Sequence, residues 1–283
     1  MGKNTKMNDL LLKKFLLWPI NSLIKSKNIK IALFAANLKF NLKGLDSEIC
    51  FDNKKGLYII KDKKSIHYFG DFLRGINIYR NGIDFRADEL YKSYFLHKIN
   101  FEKNDVVIDC GANYADLWLS LNGKINNSNY ITFEPGILEH ASIKENAPFG
   151  KHYNLALSNK EGLFTLFVNE KDADSSLIEN SFYTHKLNVS TTTLSKFIEK
   201  EKIEKIKLLK LEAEGFEPEI LDGAKEDLEK FEYIAIDGGC ERGKKEEETF
   251  SSLCNTLLNK KFIIKFISFS WGRALFKNSL EIK

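Results

Sequence analysis

A short apolar run, Val106-Val107-Ile108, stops abruptly at Asp109-Cys110-Gly111-Ala112-Asn113. Runs of this length and composition form strands buried on both faces of a parallel sheet. A glycine just past the strand predicts a sharp turn, and the apolar positions Leu117, Leu119 and Leu121 predict a helix after it. A second run, Tyr130 to Phe133, ends in Glu134, about 25 positions beyond Asp109. That spacing suits one βαβ unit, in which the second acid reaches a ribose held at the end of the first strand. The segment therefore predicts an α/β protein with a nucleoside pocket at the carboxyl ends of its strands.

The loop between the two strands narrows the nucleoside. A pyrophosphate site wants G-x-G-x-x-G, so that bare backbone and a helix N-terminus meet the phosphates. Here the three positions are Gly111, Asn113 and Asp116. Asn113 adds a side chain where backbone should be bare. Asp116, read as lying in the first helical turn, suits the helix dipole but repels a phosphate. NAD and nucleotides fit poorly. A ligand with a ribose, a positive centre and no phosphate fits better, and S-adenosylmethionine has that chemistry.

The rest of the chain predicts continued alternation. A helix is expected over Ile137 to Glu145, a strand over Tyr153 to Leu157 and another over Leu163 to Val168. A polar loop through Asp174-Ser175-Ser176-Leu177 follows, and the reading extends it to His185. Leu194, Phe197, Ile198 and Ile203 outline a helix; Ile206 to Leu211 is a strand, and Gly215 opens a helix with Pro218 in its first turn. Tyr233 to Asp237 is a strand, and Phe250 to Leu258 has the spacing of an amphipathic helix. Phe262 to Phe269 and Arg273 to Phe276 read as a closing antiparallel hairpin at the sheet edge. Four strands thus end in acids: Asp109, Glu134, the pair Glu212 and Glu214, and Asp237. If they border one cleft, their mutual repulsion would spread their proton affinities and create a general base. Glu212, Glu214 and Asp237 are the candidates for that role, with His185 behind them. Glu214 is equally a helix-cap candidate, and Tyr91 and Tyr94 read as pocket wall or core.

Other features bound the partners. The net charge of +4 is dispersed among lysines and acids, so no nucleic-acid partner is expected. Cys50, Cys110, Cys240 and Cys254 lie far apart without C-x-x-C spacing, which argues against a metal site or disulfide framework and suits the cytoplasm. The first 100 residues read as a separate α+β region: basic and helical to about residue 45, then β-like at Leu57 to Ile60 and Ile66 to Phe69. Residues 8–20 hold Leu10, Leu11, Leu12, Phe15, Leu16, Leu17 and Trp18, broken by Lys13 and Lys14. This run is too short and too charged to cross a membrane. A helix packed on its own domain or partner is the first expectation, and peripheral contact with the inner membrane face the second. Lys6 stands where N-myristoylation needs Ser or Thr.

Residues 75–277 resemble the FkbM-type family of S-adenosylmethionine-dependent methyltransferases. The matching words are Val106-Val-Ile-Asp-Cys-Gly-Ala-Asn113, Phe133-Glu-Pro135, Ala156-Leu-Ser158 with Glu161-Gly162, and Ser175-Ser-Leu177. Leu208-Leu-Lys-Leu-Glu-Ala-Glu-Gly-Phe-Glu217, Leu221-Asp-Gly-Ala224 and Trp271-Gly-Arg-Ala-Leu-Phe276 complete them in order. The resemblance implies a Rossmann-like class I methyltransferase fold, a mostly parallel seven-stranded sheet with an antiparallel C-terminal hairpin, over residues 101–283. It implies that Asp109, Gly111, Asn113 and Glu134 hold the cofactor, with Ala112, Pro135, Leu157 and Ser158 from the same words beside them. It also implies O-methylation of a hydroxyl on a sugar, glycan precursor or related natural product. The chain departs from the family pattern twice, with Glu212 for the usual aspartate and Ala115 where a glycine is frequent. Two rival functions are a non-catalytic binding scaffold and an NAD-dependent sugar-modifying oxidoreductase.

Overall fold

The computed structural model describes residues 18–169 and 175–280. Most of the N-terminal apolar run, Gly2 with Lys6, and Asp174 lie outside the described residues. The described residues divide between Arg86 and Ala87 into two compact units, where the sequence expectation places a boundary near residue 100.

In the first unit, residues 18–24 are helical and α1 (Ile29–Leu42) follows, started by Asn28, whose side chain accepts from the Lys30 N–H. Strands β1 (Glu48–Asp52), β2 (Leu57–Lys61) and β3 (Ile66–Phe69) form an antiparallel meander. Ala32, Ala35, Ala36 and Phe40 are the buried face of α1, and the Asn37 amide clamps the Ile49 backbone by accepting at 2.7 Å and donating at 2.9 Å. Helix α2 (Phe72–Ile78) is capped by Asp71. No described helix is long and apolar enough to cross a membrane.

Helix α3 (Ile83–Ser93) runs through the division into the second unit. There β4 (Val107–Cys110), β5 (Tyr130–Phe133), β6 (Lys151–Tyr153), β10 (Ile206–Leu211), β11 (Phe231–Asp237), β14 (Phe262–Ser268) and β15 (Arg273–Asn278) make a seven-stranded sheet. Its order is β14-β15-β11-β10-β4-β5-β6, with β15 antiparallel to both neighbours and the remaining pairs parallel. The order reverses between β4 and β10, the switch point at which open sheets of this kind bind ligands. This is the Rossmann-like class I methyltransferase arrangement.

Strand register sorts the side chains into two layers, because alternate residues face opposite sides. Ile108, Cys110, Leu209, Leu211, Ile234 and Ile236 share one apolar cluster with α6 (Leu194–Glu201), α7 (Glu217–Asp222) and α8 (Phe250–Asn259). Val107, Leu208, Ala235 and Leu275 share the other with Leu90 and Tyr94. Each fully buried leucine adds about 1.5–3 kcal/mol relative to exposure. Lys210 and Asp109, by parity, belong to this second layer, and both are buried.

The helix expected after Gly111 is cut to α4 (Trp118–Leu121), a single turn. Positive φ at Gly111 (69°), Asn113 (51°) and Ala115 (59°) winds the chain into turns instead. Asp116 consequently precedes the helix rather than sitting in its first turn, and it is buried. Helix α5 (Ile137–Asn146) matches expectation. The strand expected over Tyr153 to Leu157 is broken: β6 ends at Tyr153, and β7 (Ala156–Leu157) joins a separate sheet ordered β7-β9-β8. In that sheet β8 (Gly162–Val168) pairs antiparallel with β9 (His185–Thr192), so the segment read as polar loop ends in a strand. Its alternation of exposed and half-buried residues hides the strand, because few of them reach an apolar core. A short ribbon, β12 (Cys240–Arg242) with β13 (Glu247–Glu248), follows β11.

Candidate active site

The carboxyl ends of β4, β10 and β11 carry a row of charges in which the register sets every partner. Lys210 lies directly across from Asp109, and Arg273 directly across from Asp237. The Lys210 ammonium stands 3.2 Å from Asp109 Oδ1 and 2.7 Å from Glu212 Oε2, and donates to the Gly111 carbonyl at 2.7 Å. Tyr130 donates its hydroxyl to the other Asp109 oxygen at 2.6 Å. Arg273 Nε donates to Asp237 Oδ2 at 2.6 Å, its Nη1 to Ser93 Oγ at 2.7 Å, and its Nη2 faces Glu212 Oε1 at 3.4 Å. Glu212 therefore joins the two cross-strand pairs, a role its additional methylene over aspartate helps it reach.

Burial disfavours charge on each of these groups, and the partners decide the outcome. Burial opposes ionisation of Glu212, but Lys210 and Arg273 hold its carboxyl down at about 2. Burial alone would lower the Lys210 proton affinity; Asp109 and Glu212 outweigh it and raise it. Asp237 is raised, by burial and then by the Glu212 charge, against the pull of Arg273.

The loop after β4 is built around Glu134. Its Oε2 accepts from the Asn113 N–H at 2.9 Å and its Oε1 from the Gly136 N–H at 3.0 Å. Alternating right- and left-handed backbone turns N–H groups toward one anion, and here the chain supplies that anion itself. Gly111 is required by contact: a Cβ there would lie 1.9 Å from the Glu212 carbonyl oxygen.

The loop after β10 is clamped from several sides. Glu217 accepts from the Ala213 and Gly215 N–H groups at 2.7 and 3.1 Å, so it, and not Glu214, caps this turn. Glu214 sits at φ 51°, its carbonyl held by the Ser176 hydroxyl at 2.8 Å. Arg242 donates to the Gly215 carbonyl at 2.5 Å and to both oxygens of Glu219.

The structure therefore joins Asp109, Gly111, Glu212 and Asp237 through Lys210 and Arg273, and joins Asn113 to Glu134. The acids expected along one open cleft divide by depth. Asp109 is only 1 % exposed and its carboxylate is committed to Tyr130 and Lys210, so its side chain lies under the loop and does not line a cleft. Ala112 is buried, with its N–H 3.4 Å from the Phe133 carbonyl. Pro135 has its carbonyl bound by the Asn154 amide. Leu157 and Ser158 are buried, and the Ser158 carbonyl lies where a Cβ on Gly223 would meet it at 2.2 Å. His185 opens β9 in the smaller sheet. Tyr94 is core, its hydroxyl 3.4 Å from Asp237 Oδ2 and the Arg273 guanidinium over its ring.

Sequence reasoning missed Lys210, Arg273 and Glu241. A lysine inside an apolar strand that ends in acids was the available signal for Lys210. Glu241 follows the β11 acid by four positions and is half-buried in the β12 ribbon. Burial, then Asp237, Glu212 and Glu217, push its carboxyl up to about 7.

Sequence comparison places the chain. No curated protein sequence matches it. Three solved structures share a general likeness: M. capricolum TrmK bound to S-adenosyl-homocysteine, Aeropyrum pernix fibrillarin with natively bound S-adenosyl-L-methionine, and the N-terminal domain of human METTL16 with S-adenosyl-homocysteine. TrmK is 12% identical with a TM-score of 0.40, covering 68% of this chain and 68% of its own. Fibrillarin is 12% identical at 0.37 over 81% and 96%, and METTL16 is 11% identical at 0.39 over 90% and 85%. The fold assignment rests on strand order and register, not on these likenesses. The methyltransferase FkbM domain profile matches residues 109–264, more than half of the 283 residues. The chain, with its glycine loop, its β5 acid and its charged β10 end inside that match, belongs to the FkbM methyltransferase domain family.

Proposed function

We propose that the protein is an O-methyltransferase that moves a methyl group from S-adenosylmethionine to a hydroxyl of a sugar, glycan precursor or related natural product. The observation that carries the cofactor half is the Glu134 carboxylate set on the N–H groups of Asn113 and Gly136. Those two N–H groups are given to an anion of the chain's own and not offered to a pyrophosphate, which disfavours NAD. Carboxylate oxygens have further lone pairs, so Glu134 can accept from the two hydroxyls of a ribose. The residues present therefore fit the family's cofactor.

When bound, S-adenosylmethionine supplies an electrophilic methyl group, so the protein's task is mostly alignment. Glu134 would orient the ribose, and the Gly111 to Asn113 backbone would pass close to the ligand. Lys210 fixes that backbone through the Gly111 carbonyl. Glu212 and Asp237 keep the Lys210 and Arg273 charges balanced along the strand ends. A hydroxyl acceptor also needs a group to take its proton. Half-exposed Trp271, with the Arg273 guanidinium 5.3 Å from its ring centre, offers an aromatic face to a sugar ring near those strand ends.

Thermal unfolding tests the reading: S-adenosylhomocysteine should raise the melting temperature, while NAD and ATP should not. Stabilisation by NAD alone would overturn it.

A further inference from the structure

Carboxylates crowd the end of the second unit's sheet, and most are neutralised. Lys210 sits against Asp109 and Glu212, and Arg273 against Glu212 and Asp237. Glu217 spends its oxygens on Ala213 N, Gly215 N and the Thr249 hydroxyl. Arg242 is taken by Glu219. Among the described residues no cation pairs with Glu241.

Glu241 is held in place from two directions. It stands after the β11 end, where the Gly238 N–H donates to the Gly272 carbonyl at 2.9 Å and so fastens this loop to the β14–β15 turn that carries Trp271. A Cβ placed on Gly239 would meet Glu241 Oε1 at 3.2 Å and Asp237 Oδ1 at 3.5 Å, so the two carboxyls flank one glycine. Burial, and then the charges of Asp237, Glu212 and Glu217, favour a proton on Glu241 at this point.

We propose that Glu241, positioned by the Gly238–Gly239 turn beside Asp237, is the proton acceptor for the incoming hydroxyl and stands beside the transferring methyl group. The proposal rests on the methyl-transfer reading above. In the step, the acceptor oxygen forms its bond to the methyl carbon as the carbon–sulfur bond breaks, and the hydroxyl proton passes to the Glu241 carboxylate. The sulfonium charge and the carboxylate charge both disappear, leaving a thioether, a methyl ether and a neutral carboxyl. Glu212 suits this role poorly because its two cations make it a weak base, and Asp237 is already bonded to Arg273. Elevation of the Glu241 carboxyl to about 7 matches its proton affinity to neutral pH.

The test needs no acceptor. S-adenosylmethionine and S-adenosylhomocysteine differ by the methyl group and its fixed positive charge, so their affinity ratio reads the charge beside the sulfur. The titratable and charged groups around Glu241 are Asp237, Glu212, Glu214, Glu217 and, beyond them, Arg273 and Lys210; Glu212 is held down at about 2, Asp237 and Glu217 are raised by burial, and Glu241 is pushed up to about 7. Calorimetric titration of the full chain between pH 6 and 8 should show the ratio shifting in favour of S-adenosylmethionine by roughly fivefold. The Glu241→Gln variant should show a constant ratio while still binding S-adenosylhomocysteine. A constant ratio in the unaltered protein, or an unchanged rise in the variant, overturns the role of Glu241. Absence of any S-adenosylhomocysteine binding would instead overturn the methyltransferase reading, and this inference with it. The unaltered protein alone decides the first point, so a poorly folding variant does not stall the test.

Discussion

Lys210 offers the sharpest test of how this sheet tolerates charge. It is 3 % exposed and lies across from Asp109, which is 1 % exposed. At the 3.2 Å separation and an effective dielectric of about 20, the attraction comes to about 5 kcal/mol. Much of that offsets desolvation of the two ions, so the pair as a whole contributes little; removing one member is the expensive change. Lys210→Met keeps most of the volume and leaves Asp109 charged with only the Tyr130 hydroxyl. The expected loss is about 3–5 kcal/mol, or roughly 10 °C in melting temperature, measured by urea and thermal unfolding at pH 7. The sign of the pH dependence follows. An unpaired buried Asp109 would have a folded-state proton affinity above its unfolded one, so the deficit is largest at neutral pH. It shrinks as pH falls through the folded value, where the carboxyl becomes neutral. Adding Asp109→Asn should recover part of the loss at pH 7. A loss under about 1 kcal/mol, or a deficit as large at pH 4.5 as at pH 7, would refute the reasoning.

Three further outcomes are expected. Glu134→Ala removes the anion from the Asn113 and Gly136 N–H groups and should weaken S-adenosylhomocysteine binding roughly 10–100-fold with the circular dichroism spectrum unchanged; calorimetry giving equal affinities would remove Glu134 from the site. Gly111→Ala forces a Cβ to 1.9 Å from the Glu212 carbonyl at φ 69° and should cost about 2–5 kcal/mol in urea unfolding, with loss of the ligand-induced thermal shift. Burial, then Lys144 and His152, hold the His140 ring down at about 4 against an ordinary 6.5, so its neutral form contributes stability above pH 6.5 that is lost as pH falls toward 4. His140→Gln should therefore show a shallower decline in urea midpoint over that interval, and parallel declines in the two proteins would contradict it.

Much of the second unit was legible without coordinates. Ile206 to Leu211 and Tyr130 to Phe133 announce themselves because a strand in a covered sheet must be apolar on both faces, and the closing hairpin shows itself as two runs joined around Trp271-Gly272. Phe250 to Asn259 shows its helix through spacing, and Glu134 shows its place through distance from Asp109. The segments that misled were those whose conformation answers to contacts rather than to period. The turn at Asn113 and Ala115 carries helical-looking leucines, yet positive φ at both residues breaks the helix. The strand from His185 is half-polar because its sheet is small and mostly solvated.

The sequence by itself determined the parallel sheet, the loop unfit for phosphate and the acids at the strand ends, since each follows from local pattern and from chemistry that residue type alone decides. Only the tertiary structure decided which acids are neutralised and how deep each one lies. Asp109, Glu212 and Asp237 read alike in one dimension. They differ because strand register sets Lys210 across from the first, Arg273 across from the last and Glu212 between the two cations, and register across nonadjacent strands is not written in any one segment. Charge state inside a protein depends on neighbours a few ångströms away, and those neighbours come here from positions as far apart as Ser93 and Arg273.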